Sequence, residues 1–354
     1  MALHSWSLYP SAMKKYLILL ASIFLFSCTS EELSLQLPEP VANQSSAILI
    51  KDGAPTAYSF YGLDSTKSQS GVHKKTMRLN LETGLSQYIS DVPDSLGRLA
   101  SSASVIQNKA YIAGGYAVFP DGSEKSSNQL YEFNPEDESY QLLAPIPVPI
   151  DDHIQTVYQD SLIYLISGWS DSTNVNNVQI YNPSNDLWTA GTPLPDETEA
   201  KTFGGVGIIV SDTIYALGGA TFAKNYPPGK GLYKGAISKE NPTEINWIKE
   251  PAYPGPFRYR SGVFSQNGKI YFFGGSNETY NYNAISYAEK TSVSPNKTIL
   301  VYEIKTGLFE EIETDLAIMD LRNLVQDRDG HVYAIGGIGE NQEVLSAIQK
   351  IDVR

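Results

Sequence analysis

Cysteine is almost missing from this chain of 354 residues, which has one, and histidine is scarce at four. A single cysteine can form no internal disulfide, so the fold must rely on its apolar core. Copper or zinc centres that need several histidine and cysteine ligands at short spacing find nothing to draw on, and no metal site is expected. Positive charge is also in short supply. The 26 lysines and arginines face 39 acids, a net charge of −13, and such a surface repels phosphate backbones, so nucleic acid is not an expected partner. Long apolar runs are lacking too: Tyr16-Leu-Ile-Leu-Leu-Ala-Ser-Ile-Phe-Leu-Phe26 falls short of the ~20 residues that span a bilayer as a helix. No Gly-x-Ser-x-Gly elbow exists to supply a hydrolase nucleophile.

The run from Tyr16 follows Met13-Lys14-Lys15 and ends at Leu25-Phe26-Ser27-Cys28. This order is expected of a secretory signal, with the charged stub first and the apolar stretch second. Residues 1–28 are read as that signal, with translation starting at Met13. The segment before Cys28 resembles a bacterial lipoprotein cleavage box, which implies lipidation of Cys28. Ser30-Glu31-Glu32 resembles the acidic export tag of surface lipoproteins in Bacteroidetes. Residues 29–32 would then be a short tether, and the protein an exported lipoprotein of the outer membrane or cell surface of a Gram-negative bacterium. Membrane attachment would run through the lipid anchor alone. Removing Lys14 and Lys15 with the signal takes the charge from −13 to −15.

What the chain has in abundance is glycine (28) and tyrosine (23), and they recur together. Tyr58 is followed by Tyr61-Gly62, Tyr111 by Gly114-Gly115, Tyr164 by Ser167-Gly168, Tyr215 by Gly218-Gly219, Tyr271 by Gly274-Gly275 and Tyr333 by Gly336-Gly337. The last glycines lie 51 to 62 residues apart, a period that marks an array of one supersecondary unit. Each unit has an apolar run, a tight turn such as Asn267-Gly268 or Asp329-Gly330, and the tyrosine strand. Asn-Gly and Asp-Gly accept positive φ at both central positions and so favour hairpins. A third apolar strand and a fourth follow, the fourth carrying Tyr88, Tyr140, Trp188, Trp247 or Phe309. Those rings are expected to wedge between neighbouring units. Four antiparallel strands per repeat, six times over, make an all-β six-bladed β-propeller from residue 33 to 354. The sixth unit ends after its third strand, and Leu33-Ser-Leu-Gln-Leu37-Pro38 reads as the missing fourth. An N-terminal strand thus closes the ring and removes an exposed edge.

These repeats resemble Kelch motifs. The resemblance covers the chain after residue 32 and implies a Kelch-type propeller, a scaffold that hosts enzymes, adaptors and binding proteins alike. More distantly the size and blade count resemble the exported sialic acid mutarotase family, which implies a sugar mutarotase or epimerase as an alternative function. Glu197, Glu199, Asp152 and His153 are candidates for its acid and base, but no catalytic residue is assigned. A scaffolding role in an envelope complex is a third reading. Galactose-oxidase copper chemistry finds no cysteine within the ring, and no cofactor is implied.

The loops preceding each first strand carry cations: Arg98, His153, Lys201, Arg258, Arg260 and Arg322. His153, Arg260 and Arg322 each lie eleven residues before the tyrosine of their unit. Equal offsets in radially related units suggest one basic ring suited to carboxylate, sulfate or phosphate, or else arginines tying units together. The loops after the glycine pairs add an aromatic rim of Tyr116, Trp169, Tyr226, Tyr280 and Tyr282. The expected function is binding of a glycan or protein segment, preferably anionic, at this basic, tyrosine-rimmed face of a monomeric propeller.

Overall fold

The computed structural model describes residue 1 and residues 33–353; the expected signal, Cys28 and the tether lie outside the described residues. From Ser34 onward the chain forms one compact unit. Five blades are four-stranded antiparallel sheets running in chain order: Ser45–Lys51 to Ser86–Ile89, Leu99–Ile106 to Ser139–Leu142, Ile154–Tyr158 to Leu187–Gly191, Val206–Val210 to Ile245–Glu250, and Gly262–Gln266 to Leu308–Glu313. The sixth has Val325–Gln326, Val332–Ile335 and Ile348–Ile351. Its outer edge is taken by the N-terminal segment, where Gln36 bridges Ala347 and Leu37 N–H donates to the Ser346 carbonyl at 2.8 Å. The ring therefore closes with the first and last described segments in one blade. Among the described residues the single helical element is a 3-10 turn at Gln69–Gly71.

The glycine of each repeat has one mechanical task, repeated six times. The N–H of Gly62, Gly115, Gly168, Gly219, Gly275 and Gly337 donates to a loop carbonyl of the next blade, at Arg98, Ile150, Thr202, Arg258, Ile318 and Val41. The distances run from 2.9 to 3.2 Å. The residue before it must let that carbonyl approach: a Cβ on Gly114 would sit 2.2 Å from the Ile150 oxygen, and Gly114 has φ +62°. Both sterics and backbone select glycine there.

The hairpin turns form as their residues dictate, with Asn267 at φ 52° and Gly268 at 75°. Four of the fourth-strand rings lie at blade seams. Trp188 Nε1 donates to the Ala144 carbonyl at 2.9 Å and Trp247 Nε1 to the Thr192 carbonyl at 3.0 Å. The Tyr140 hydroxyl meets Thr76 Oγ1, and Phe309 packs 6.4 Å from Tyr253. Tyr88 departs from the expectation. It is 50% exposed, with the Lys75 ammonium 6.0 Å from its ring. Lys75 itself pairs with Glu39 of the N-terminal segment, so this seam is sealed by charged side chains.

The first strands of all six blades line an axial channel of about 210 Å³, with Ser46, Ala103, Thr156, Gly207, Val263 and Val325 among its walls. One end of that channel is plugged by side chains, and the long loop 276–298 of blade 5 lies over the plug. Tyr280 in this loop packs with Phe203 of blade 4 and Met319 of blade 6, while Tyr282 packs with Leu63, Leu99 and Tyr116 of blades 1 and 2.

Candidate functional site

Six residues, one per blade, turn into the axis through a left-handed backbone: Asn43 (φ 57°), Ala100 (54°), Asp152 (48°), Gly204 (64°), Arg260 (51°) and Asp320 (65°). Successive members are joined by main-chain bonds. Ala100 N–H donates to Asn43 O at 3.2 Å, Asp152 to Ala100 at 3.1 Å, Gly204 to Asp152 at 2.8 Å and Arg260 to Gly204 at 2.8 Å. Blade 6 shifts by one, Leu321 N–H reaching Arg260 O at 3.0 Å. Positive φ is uncommon for alanine and arginine and carries strain. At four of the six, Asn43, Asp152, Arg260 and Asp320, this backbone brings the side chains into mutual contact.

The side chains delivered there form one ionic knot. Arg260 donates to Asp152 through Nε (3.2 Å) and Nη2 (2.7 Å), and to Asp320 through Nη1 (3.3 Å). Arg322 enters two residues further along its blade and donates to Asp152, Asn43 and Asp320. Asn43 Nδ2 donates to Asp320 Oδ2 at 2.5 Å. All four charged groups are buried. Burial alone would raise Asp152, yet the guanidinium groups of Arg260 and Arg322 hold its carboxyl below the usual range. Asp320 is raised by burial in spite of the same two arginines. Tyr259 and Tyr280 rings lie 5.0 and 5.1 Å from the Arg260 guanidinium, so its faces are covered as well as its edges.

The expected basic ring therefore does not form one positive surface. Arg260 and Arg322 meet on the axis, each already neutralised by acids. Arg98 lies at a seam, paired with Asp94 and donating to the Gly114 carbonyl at 3.0 Å. Arg258 donates to Thr298 O (2.7 Å) and pairs with Glu311 (3.1 Å) on its own blade. Lys201 pairs with exposed Asp196 at 2.5 Å. His153 is buried and pushed down to about 4 by desolvation, so it is neutral at pH 7. The equal offset of Arg260 and Arg322 from their tyrosines misleads because blade 6 holds two more residues between its axial residue and its glycine pair. Arg260 is matched in space by Asp320.

Beside the knot lies a recess of about 120 Å³ with Arg260 and Asp152 at its base. Its walls are aromatic: Tyr116 of blade 2, Trp169 of blade 3, Phe203 and Tyr226 of blade 4, and Tyr287 of the blade 5 loop. The rings lock one another edge to face, with Trp169–Tyr226 at 5.8 Å and Tyr226–Tyr287 at 4.9 Å. Polar groups enter from three blades as Glu124, Asp151 and Asn281. Asp151 is pushed well above the ordinary carboxylate range by burial and by the charge of Asp152, and Ser126 Oγ lies 2.6 Å from its Oδ2. Glu124 sits on a short extra strand, Glu124–Ser126, hydrogen-bonded to the second strand of blade 2. Although Glu124 is an exposed residue, desolvation on the side facing the recess shifts its carboxyl upward.

Of the expected rim, Tyr116, Trp169 and Tyr226 line the recess, whereas Tyr280 is fully buried against Arg260 and Tyr282 packs on blades 1 and 2. Phe203 and Glu124 escaped the sequence reading, whereas Tyr287 and Asn281 belong to the tyrosine- and asparagine-bearing loop of blade 5 and Asp151 to the Asp151-Asp152-His153 run. Asp151 and Asp152 are equally buried, and what separates them is that Asp152 pairs with two arginines while Asp151 has only Ser126 beside it. Glu197 and Glu199 lie apart from this recess, pairing with Lys249 at 3.3 and 2.8 Å. Asp327, Asp329 and His331 gather in the blade 6 hairpin turn. There Asp327 accepts from the backbone N–H of Asp329 and His331 and from the Tyr333 hydroxyl, which accounts for it as turn structure.

A family model described as "Kelch motif" matches residues 155–195. Kelch-like protein 15 of Danio rerio is 24% identical over 178 residues, which are 49% of this chain and 29% of that protein. Beta-scruin of Limulus polyphemus is 23% identical over 253 residues, 70% of this chain and 24% of its own length. The matches thus span less than a third of these curated relatives. A solved structure titled "Structure of YjhT" superposes with a TM-score of 0.72 at 15% identity, covering 91% of this chain and 98% of that one. At that identity the likeness is one of fold.

Proposed function

Taking as premise that the chain is a Kelch-repeat β-propeller, a scaffold for binding, we propose that it binds a carbohydrate in the aromatic recess between blades 2, 3, 4 and the blade 5 loop. The observation that carries this is the combination in one small cavity of five aromatic walls with the carboxyl groups of Glu124 and Asp151 and the amide of Asn281. Sugar rings present apolar C–H faces that stack on aromatic rings, and hydroxyls that pair with carboxyl and amide groups at the rim. The arginines beneath are already satisfied by Asp152 and Asp320, and the other charged groups of the cavity are acids. A neutral sugar suits this better than the anionic ligand that the sequence pattern suggests.

The test is titration calorimetry with neutral mono- and disaccharides against the protein and its Trp169→Ala variant. Stacking on one aromatic ring is worth about 0.5–1.5 kcal/mol beyond buried area, so Trp169→Ala should weaken binding by at least about two- to tenfold. Sulfated or uronate sugars binding tighter than neutral ones would reverse the assignment of ligand class. Sugar isomerisation at the anomeric centre is a second reading, favoured by the paired carboxyl groups Asp151 and Glu124 in the recess. Acceleration of anomeric exchange in proton NMR, lost in Glu124→Gln, would establish it. The proposal includes the cell-envelope location expected from the Cys28 segment, which rests on the sequence.

A further inference from the structure

Just beyond the Trp169 wall lies a second recess of about 140 Å³, formed by Thr173, Asn174, Thr198, Lys201 and Phe222. Trp169 and Asn174 face each other across a two-residue ribbon, Trp169–Ser170 against Thr173–Asn174. The two cavities therefore flank the same structural ridge. Phe222 continues that ridge, its ring 5.8 Å from that of Trp169, and it is 52% exposed. Half-exposed apolar side chains are common on this surface, and what sets Phe222 apart is that its free face borders a cavity and adjoins the Trp169 wall.

The polar lining is built to the same end. Asn174 is 5% exposed, and its Nδ2 donates to the Lys201 and Ala220 carbonyls, each at 2.9 Å. Those two bonds fix the amide, and among the described residues its Oδ1 accepts from none. Buried acceptors are normally paired, so this one calls for a donor from elsewhere. Lys201 supplies the complementary donor. Its partner Asp196 is 83% exposed, so the pair is weak and the ammonium can turn to a ligand oxygen.

We propose that this second recess is a subsite for a further sugar unit, so that the ligand is an oligosaccharide of at least two residues. One unit occupies the first recess, and the chain passes over the Trp169–Phe222 ridge to place the next on Phe222 between Lys201 and Asn174. This rests on the carbohydrate reading of the first recess. It goes beyond that reading in ligand length and in the residues that measure it.

The experiment compares glucose with cellobiose, mannose with β-1,4-mannobiose, galactose with β-1,4-galactobiose and N-acetylglucosamine with chitobiose, by calorimetry on the full chain. For whichever pair binds, the disaccharide should bind at least tenfold tighter than its monosaccharide. Phe222→Ala, an exposed position whose loss should leave the melting temperature unchanged, should bring the disaccharide down to the affinity of the monosaccharide. Monosaccharide affinity should not move. Lys201→Gln should give a smaller loss confined to the disaccharide. Equal affinity for the two lengths, or a Phe222→Ala loss shared by both, overturns the second subsite and leaves the first recess standing. Absence of binding by all eight sugars overturns the carbohydrate reading and this inference with it.

Discussion

Replacing Arg260 with methionine removes the positive centre of the axial knot while keeping much of the side-chain volume. Three hydrogen bonds vanish, two to Asp152 and one to Asp320. Two buried carboxylates are then left with Arg322 and Asn43 as remaining partners. Removing one partner of a buried ion pair costs about 3–5 kcal/mol, because the surviving charge stays desolvated. That is a large share of the ~5–15 kcal/mol that holds a domain together. At about 2 °C per kcal/mol, the melting temperature should fall by roughly 6–10 °C at pH 7. The pH dependence separates charge from packing. Asp152 is held below its unfolded value, so its contribution is complete above the ordinary carboxylate value of about 3.9 and is lost as pH falls through the lower folded value. In Arg260→Met burial is opposed by Arg322 alone, so the Asp152 and Asp320 carboxyls should lie above their unfolded value, and protonation on acidification from pH 7 relieves the unpaired charge. The gap between variant and parent should therefore shrink from pH 7 toward pH 4. Calorimetric scans at both pH values measure it. A variant melting within 2 °C of the parent at pH 7, or a gap indifferent to pH, would show that Arg260 does not hold the axis together by charge.

Asp151 runs with the opposite sign, since its folded carboxyl is raised and binds a proton that the unfolded chain has lost. Stability from this group falls as pH climbs above about 3.9, so Asp151→Asn should gain on the parent between pH 4 and pH 7; parallel melting curves over that range would contradict it. Gly114→Ala meets the Ile150 carbonyl at 2.2 Å with φ +62° and should cost roughly 2–5 kcal/mol by denaturant titration, whereas Gly122→Ala meets nothing within 4 Å and should cost about 1–2 kcal/mol for its φ of +81°. Equal costs at the two positions would mean that the interblade contact does not select glycine. Cys28→Ala should move the protein out of the detergent-extracted membrane fraction if Cys28 carries the lipid, and unchanged partitioning would refute lipidation.

The architecture was legible because every blade solves the same local problem with the same residues. A glycine N–H must reach a carbonyl of the next blade, so Gly115, Gly219, Gly275 and Gly337 recur with the period of the fold. The hairpin residues Asn267 and Gly268 announce their positive φ, and the apolar runs between them announce strands. The N-terminal closure was legible as a missing fourth strand. Tyr88 departs from the pattern because Glu39 of the N-terminal segment, distant in sequence, pairs with Lys75 of the neighbouring strand and closes that seam.

The site was less legible, for a geometric reason. Arg260 and Arg322 carry the same offset from their tyrosines and look equivalent, but two extra residues in blade 6 put Asp320 opposite Arg260 and bring Arg322 in from beside it. Whether an arginine offers its charge to a ligand or spends it inside the protein depends on which acid lies nearest. Asp152 and Asp320, 108 and 60 residues from Arg260, decide that. Sequence by itself determined the blade, its number and the ring, since these follow from short-range patterns repeated along the chain. Tertiary structure alone decided the chemistry of the axis and its recess, because charge state and access are set by neighbours on other blades, and no local spacing encodes them.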